Sequence, residues 1–280
     1  MNNRGRLRAA LAFEDIDRPC HVEQGFWEEV YARWRNEGLP ESVVYPIPEK
    51  LSKMTDLYQY FDVCRLVRVL KGEQFFYPTF PYEIVEETDE YRVEKTERGI
   101  LQKVYKKNVT MPQFIDYPVK CREDYEVLKE RLQPKINERC PKDWDEIAKG
   151  MREQEHAPLS IYVYGFFGFP RELIGVETFL TMLYDDPELI KDIINDRVDF
   201  YIQFLEKGIK YTQPDIAFVW EGMCFKNGPL LSLAMFREFL MPAYKKLTSF
   251  LKDMGVENIF VDCDGDVIST IPLWLEGGVT

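Results

Sequence analysis

The sequence predicts an α/β protein built as a TIM-type (β/α)8 barrel, incomplete within its 280 residues and carrying a β-meander insertion. Three observations predict it. From residue 160 onward, short apolar strands alternate with amphipathic helices, the pattern of βαβ units around a parallel sheet. No G-x-G-x-x-G follows any strand, so a dinucleotide fold has no support. Between Phe75 and Lys107, β-branched and aromatic residues mix with charges around the turns "TDE" and "ERG", which reads as an exposed meander outside the main alternation. The chain is read as one domain, 1–280, with a β-rich insertion at about 70–115.

Each element has a local reason. "RGRLRAALAFEDIDRP" predicts a short helix ending before Asp17 and Pro19. "RPCHVEQGF" predicts the first strand, and "WEEVYARWRNEGLP" a helix stopped by Gly38 and Pro40. "YFDVCRLVRVL" is the second strand. After the meander, "CREDYEVLKERL" is an amphipathic helix with a solvated charged face. "SIYVYGFFG" is the third strand. "RELIGVETFLTMLY" follows as a helix with Leu173, Val176, Leu180 and Leu183 on one face. "DDPELIKDIINDRVDFYIQFLEKGIKY" predicts a long helix capped by Asp186, with Pro187 in its first turn and Leu189, Ile190, Ile193, Ile194, Val198 and Tyr201 as its buried stripe. "IAFVWEG" is the fourth strand. "LSLAMFREFLMPAYKKLTSFLKDMG" is helical, capped by Ser232 and broken or kinked at Pro242. "NIFVDCDGD" is the fifth strand and "VISTIPLWLEGG" the next helix.

Composition narrows function. At 45% hydrophobic and 14% aromatic the chain can bury a substantial core. A net charge of −12 argues against nucleic acid, which requires clustered Lys and Arg. No apolar run reaches the roughly 18–20 residues of a membrane span, and "MNNRGRLRAALAFEDIDRP" has no apolar signal core. Cys20, Cys64, Cys121, Cys140, Cys224 and Cys263 are scattered without CxxC spacing, which fits a reduced, cytoplasmic setting. With only His21 and His156, acid–base work falls to Asp, Glu, Tyr or Cys.

In a barrel the chemistry sits where strands end, so "YGFFGFP", "WEGMC" and "DCDGD" are the places to inspect. In "DCDGD", strand alternation puts Asp262 and Asp264 on one face, about 6–7 Å apart, and turns Cys263 away. Such a pair raises one carboxyl's pKa or binds a cation; the competing reading is a turn in which Asp264 or Asp266 caps backbone N–H groups. Calcium fails because Gly265 is fourth in the register from Asp262, where an EF-hand needs it sixth. The stretch also resembles the first motif of haloacid-dehalogenase-type phosphatases, but Asp266 stands at the Thr or Val position and only 14 residues follow it. At "WEGMC", Glu221 is the candidate substrate-orienting acid and Trp220 an aromatic wall. Tyr164 and Phe166 extend that wall, and Gln24 and His21 come from the first strand. His156 reads as a surface residue.

Several stretches together resemble the uroporphyrinogen decarboxylase superfamily. "GFFGFP" matches its G-F-x-G-x-P after a strand. "SLAMFREFLMPAYKKL" is similar to its S-P-x-x-F-x-E-F-x-x-P-x-x-K helix, and "DCDGDVISTIPLWLEGGV" to its H-x-C-G-x-x-x-x-x-x-P-x-x-x-E-x-G segment. "RLRAALAFEDIDRP" resembles the opening helix. The resemblance implies a (β/α)8 barrel whose mouth holds a tetrapyrrole or a corrinoid-borne methyl group, and a chain that continues past "EGGV" into further βα units. Departures shape the expectation. The arginine-rich R-Q-A-G-R-Y of the decarboxylases is replaced by "HVEQGFW", and an acidic mouth is a poor host for a polycarboxylate. Asp262 and Asp264 stand where methyltransferase relatives place a zinc-binding His and Cys, so zinc is not expected.

The expected function is therefore methyl transfer between a small methylated substrate and a corrinoid carrier. Asp262, Asp264 and Glu221 are the catalytic candidates, and Tyr164, Phe166, Trp220, Gln24 and His21 the substrate contacts. No tightly bound cofactor and no metal are expected. The partners are a small molecule, a corrinoid protein and a second copy of the chain. The alternatives are uroporphyrinogen decarboxylation and a non-catalytic degenerate barrel.

Overall fold

The computed structural model describes residues 1–45, 55–69, 73–107, 111–153 and 157–280. His156 lies outside the described residues. Helix α1 (Asn3–Leu11) starts at Asn2, whose side chain accepts from Gly5 N. Arg4 and Arg8 of this helix both reach the buried Asp215, at 2.9 and 2.5 Å, and Asp215 also accepts from Leu159 N at 2.7 Å. This ties the helix beneath the N-terminal ends of two strands of the main sheet.

Strand β1 (Val22–Glu23) leads to α2 (Glu28–Asn36). The β2 (Val43–Val44) and β3 (Thr55–Asp56) pair and α3 (Leu57–Tyr60) follow. Val43 and Leu57 form a small satellite core with Leu39, covered by Phe26 and Trp34. Strands β4 (Cys64–Arg65) and β5 (Val67–Arg68) are separated by Leu66; β4 pairs with β1 and β5 with a later strand, all parallel. The second predicted strand is thus present as two short pieces.

The meander is an antiparallel four-stranded sheet: β6 (Glu83–Glu87), β7 (Tyr91–Lys95), β8 (Leu101–Tyr105) and β9 (Gln113–Asp116), in sequence order. Strand β6 has no buried side chain, as the mixture of charged and apolar residues suggests. Helices α4 (Arg122–Leu128), α5 (Ile136–Arg139) and α6 (Trp144–Glu153) return the chain to the main sheet.

There, β10 (Leu159–Tyr164) buries Leu159, Ile161 and Val163 against helices and leaves Tyr162 and Tyr164 half-buried on the other face. The predicted "RELIGVETFLTMLY" helix is two helices, α7 (Gly168–Ile174) and α8 (Val176–Asp185), broken at Gly175. Gly175 has φ +88°, outside the helical region, so Val176 and Leu180 fall out of the single stripe expected for them and are only partly buried. Helix α9 (Pro187–Thr212) is as expected: Asp186 accepts from Leu189 N at 3.0 Å and the predicted stripe is buried throughout. Replacing Asp186 with Ala leaves that N–H without its cap and should cost about 1 kcal/mol, seen as a lowered urea midpoint with unchanged slope.

Strand β11 (Ile216–Trp220) and the β12 (Cys224–Phe225)–β13 (Gly228–Pro229) hairpin come next. Ser232 caps α10 (Leu233–Met235) by accepting from Met235 N. A π-helical turn, Phe236–Leu240, joins α10 to α11 (Met241–Asp253). Pro242 in the first turn of α11 has no N–H to give the preceding turn, and the wide turn is the form taken by the expected break. Strand β14 (Ile259–Asp262) and α12 (Ile271–Glu276) complete the described chain.

The parallel sheet runs β14-β11-β10-β5, with β1 on β4. Five strand positions in parallel with helices between them are a TIM-barrel-like α/β arrangement; among the described residues the sheet does not close. No helix among them is long and apolar enough to cross a membrane.

Candidate active site at the strand ends

The registers Tyr164↔Trp220 and Trp220↔Asp262 place three side chains in one row at the C-terminal ends of β10, β11 and β14. Side chains paired in parallel strands share a face, so this row lies opposite the helix-packed face. Trp220 meets Tyr164 edge-on at 5.5 Å. Gln24, just after β1, hydrogen bonds the Asp262 carboxyl. Partial burial, with the nearby Asp264 charge, lifts Asp262 above the usual carboxylate range against the pull of Gln24. Gln24 and Tyr164, the neighbours of Asp262 and Trp220, line a cleft of about 520 Å³ together with Arg68, Gln74, Arg98 and Tyr162. Its size suits a small molecule.

The cleft is not the acidic mouth that the sequence suggested. Three arginines line it, none of them from the first strand. Arg65 pairs with Asp56 at 3.4 Å. Arg68 lies 4.0 Å over the Tyr162 ring. Arg98, from the β7–β8 turn of the meander, donates to Tyr164 Oη at 2.7 Å and pairs with Glu172 at 3.3 Å. For Arg65 and Arg68 the available signal is a charge inside an otherwise apolar strand. Arg98 has no local signal, because its contact with Tyr164 spans 66 residues of chain.

Glu221 requires a correction. Its side chain is fully buried and faces away from the cleft. Oε1 accepts from Phe166 N at 2.9 Å and from the Tyr244 hydroxyl; Oε2 accepts from Phe167 N at 2.8 Å and Gly168 N at 3.0 Å. Burial raises its pKa, opposed by these four donors, and the Tyr244 hydroxyl, raised far above its ordinary value by burial and the adjacent carboxylate, keeps its proton to donate. Glu221 therefore holds the start of α7 onto β11 and cannot orient a substrate. Gly165 is required here: a Cβ would lie 2.1 Å from the Glu221 carboxyl carbon.

Phe166 is also corrected. It is fully buried and packs edge-on against Tyr244 at 5.2 Å, inside the core and not on the cleft wall. His21 precedes β1, at the opposite end of the strand from Gln24. Its carbonyl accepts from Cys64 N at 2.6 Å while its side chain is exposed, away from the cleft lining.

In "DCDGD" the strand ends at Asp262, so alternation does not carry Asp264 into the cleft row; Asp264 is exposed on the following loop. Asp266 accepts from Ile268 N at 3.1 Å, the capping turn weighed above. Cys263 does turn away, toward Met223 and Cys224, where burial pushes its thiol up to about 12. Gly265, at φ +88°, fits beneath Phe225, whose carbonyl oxygen would lie 2.6 Å from any Cβ. Among the described residues no three His, Cys, Asp or Glu side chains are grouped to hold a metal ion.

Comparison with known proteins agrees with this architecture. A methyltransferase from Methanosarcina mazei shares the fold with a TM-score of 0.55 at 18% identity, over 100% of this chain and 74% of its own. No curated protein matches the chain. The uroporphyrinogen decarboxylase (URO-D) family matches residues 101–274, from β8 of the meander to α12, which is more than half of the sequence and takes in Tyr164, Trp220 and Asp262. By that match the chain belongs to the URO-D family.

Proposed function

We propose that the chain acts in methyl transfer between a small methylated substrate and a corrinoid presented by a partner protein. The observation that carries this reading is Asp262, partly buried at the end of β14, hydrogen-bonded by Gln24 and raised above the usual carboxylate range. A carboxyl of that kind retains its proton closer to neutrality than an exposed Asp, and its neighbour Gln24 lines a cleft of small-molecule size. When bound, the corrinoid would supply the methyl acceptor. Asp262 would give its proton to the substrate oxygen or nitrogen as the bond to the methyl carbon breaks, so the leaving group departs neutral. Tyr164 and Trp220 would exclude water from the reacting end. The row Tyr164–Trp220–Asp262 lies at the C-terminal strand ends, where a carrier protein would have to approach.

The test is to mix the protein with O- and N-methyl donors and reduced corrinoid. A donor-dependent change in the visible corrinoid spectrum is expected; an unchanged spectrum across all donors would sink the reading. One observation favours a second reading, decarboxylation of a porphyrinogen: Arg65, Arg68 and Arg98 line the cleft. Chromatography of products formed from uroporphyrinogen separates the two.

A further inference from the structure

We infer that the strand-end cleft is a carboxylate-binding site, with Arg68 as the direct anion ligand and Arg98 beside it, and that its ligand is a small hydroxy- or amino-carboxylate. This rests on the cleft being the substrate site and names the class of substrate.

Arg68 forms no ion pair among the described residues; its recorded contact is the Tyr162 ring at 4.0 Å. Stacking uses the flat face of a guanidinium and leaves its N–H edge available for an anion. Arg98 is held over Phe75 at 4.0 Å and by Tyr164 Oη. The Tyr162 and Tyr164 rings are 5.6 Å apart, so two cations lie over neighbouring rings of one strand. Behind them two further guanidiniums are buried. Arg197 donates to Gln74 O and to the Tyr201 hydroxyl, and Arg139 to the carbonyls of Glu73, Arg131 and Gln133. Neither has an ion pair among the described residues, and a buried cation without a counter-ion is costly. Both hold the Glu73–Gln74 segment that lines the cleft.

The acids on this side are Asp56 and Glu172, already paired with Arg65 and Arg98, together with Glu73, Asp262 and Asp264. Among the residues that line the cleft, the three guanidiniums Arg65, Arg68 and Arg98 outnumber the single carboxyl, Glu73, inverting locally the acidic balance of the whole chain. The excess is small, which suits a singly charged carboxylate better than a dianionic phosphate close to Glu73 and Asp262. Gln74 supplies the second requirement. Its Nε2 donates to Tyr162 O at 2.8 Å, while its Oε1 is buried without a partner. A ligand hydroxyl or amino group would satisfy it.

Calorimetry of the 280-residue protein with lactate as the probe tests the proposal, with lactamide as the neutral control and inorganic phosphate as the rival anion. Lactate should bind and lactamide should not. Arg68→Gln should weaken lactate at least tenfold, and Arg68→Lys should restore part of the loss. Arg68 is exposed and bridges no structural acid, so the thermal midpoint of Arg68→Gln should match the parent and any loss is one of binding. Silence with lactate, equal binding of lactamide, tighter binding of phosphate or indifference to Arg68→Gln would each overturn it. The measurement uses no corrinoid: lactate binding without a corrinoid spectral change would leave this inference standing and remove methyl transfer, and the reverse pair of results would do the opposite.

Discussion

Glu221→Gln should destabilise the protein by about 1–3 kcal/mol, the cost of leaving a buried donor without its acceptor. The reason lies in donor counting. The carboxylate accepts from Phe166 N, Phe167 N, Gly168 N and the Tyr244 hydroxyl. A glutamine of the same shape has one acceptor oxygen and one donor NH2. With its NH2 at the Oε2 position it leaves Phe167 N and Gly168 N unsatisfied; with its NH2 at the Oε1 position it can donate to the Tyr244 oxygen but leaves Phe166 N unsatisfied, at about 1–3 kcal/mol for each lost partner. The surroundings cannot relax easily. Tyr244 is stacked on Phe236 at 5.7 Å and packed by Phe166, all fully buried, and Gly165 has no room to shift toward the carboxyl. The damage should also reach the cleft, since α7 carries Glu172, the partner of Arg98. A urea titration followed by far-UV circular dichroism reads the midpoint. A midpoint matching the parent would show that the four donors find other partners and that the role given to Glu221 is wrong.

That role also shows where sequence reasoning succeeds and where it stops. The three central strands β10, β11 and β14 were legible because each is an apolar run ending at Gly, Asp or Glu, and α9 because Asp186 and Pro187 mark its start and an uninterrupted stripe marks its face. Asp262, Trp220, Tyr164 and Gln24 were legible as strand-end residues. Glu221 was misread because a glutamate after a strand looks the same whether it faces a cleft or a helix start. Parity held the clue: Trp220 and Glu221 are adjacent, so a strand that turns one to the mouth turns the other to the helices. Parity misleads in turn at Phe166 and Asp264. Each has the parity of a cleft residue, Tyr164 or Asp262, but lies beyond its strand's end, where alternation no longer applies. The arginines were overlooked for a different reason. Arg65 and Arg68 lie in the second strand, not the first, and Arg98 joins the cleft only because the meander folds back onto Tyr164.

Asp262→Asn should lower turnover in the proposed methyl transfer by about 10²–10⁴-fold, the usual contribution of a placed general acid or base, while leaving lactate affinity near that of the parent. The substitution keeps the shape and a hydrogen bond to Gln24 but removes the transferable proton. The pH profile supplies the independent readout. Burial and Asp264 raise Asp262 in the folded protein, so between its unfolded and folded pKa values the native state binds more protons than the unfolded state. Stability from this group is therefore present at low pH and declines as pH rises through the folded pKa. Asp262→Asn should flatten that decline, and the limb of the rate profile that follows Asp262 ionisation should vanish with it. Partial exposure screens the charge, so the stability change should be slight beside the loss of turnover. If turnover falls but the rate profile keeps the same limb, another group donates the proton and Asp262 only shapes the cleft. If turnover is unchanged, the row Tyr164–Trp220–Asp262 is a structural feature of the strand ends, and the chemistry must be sought among the arginines across the cleft.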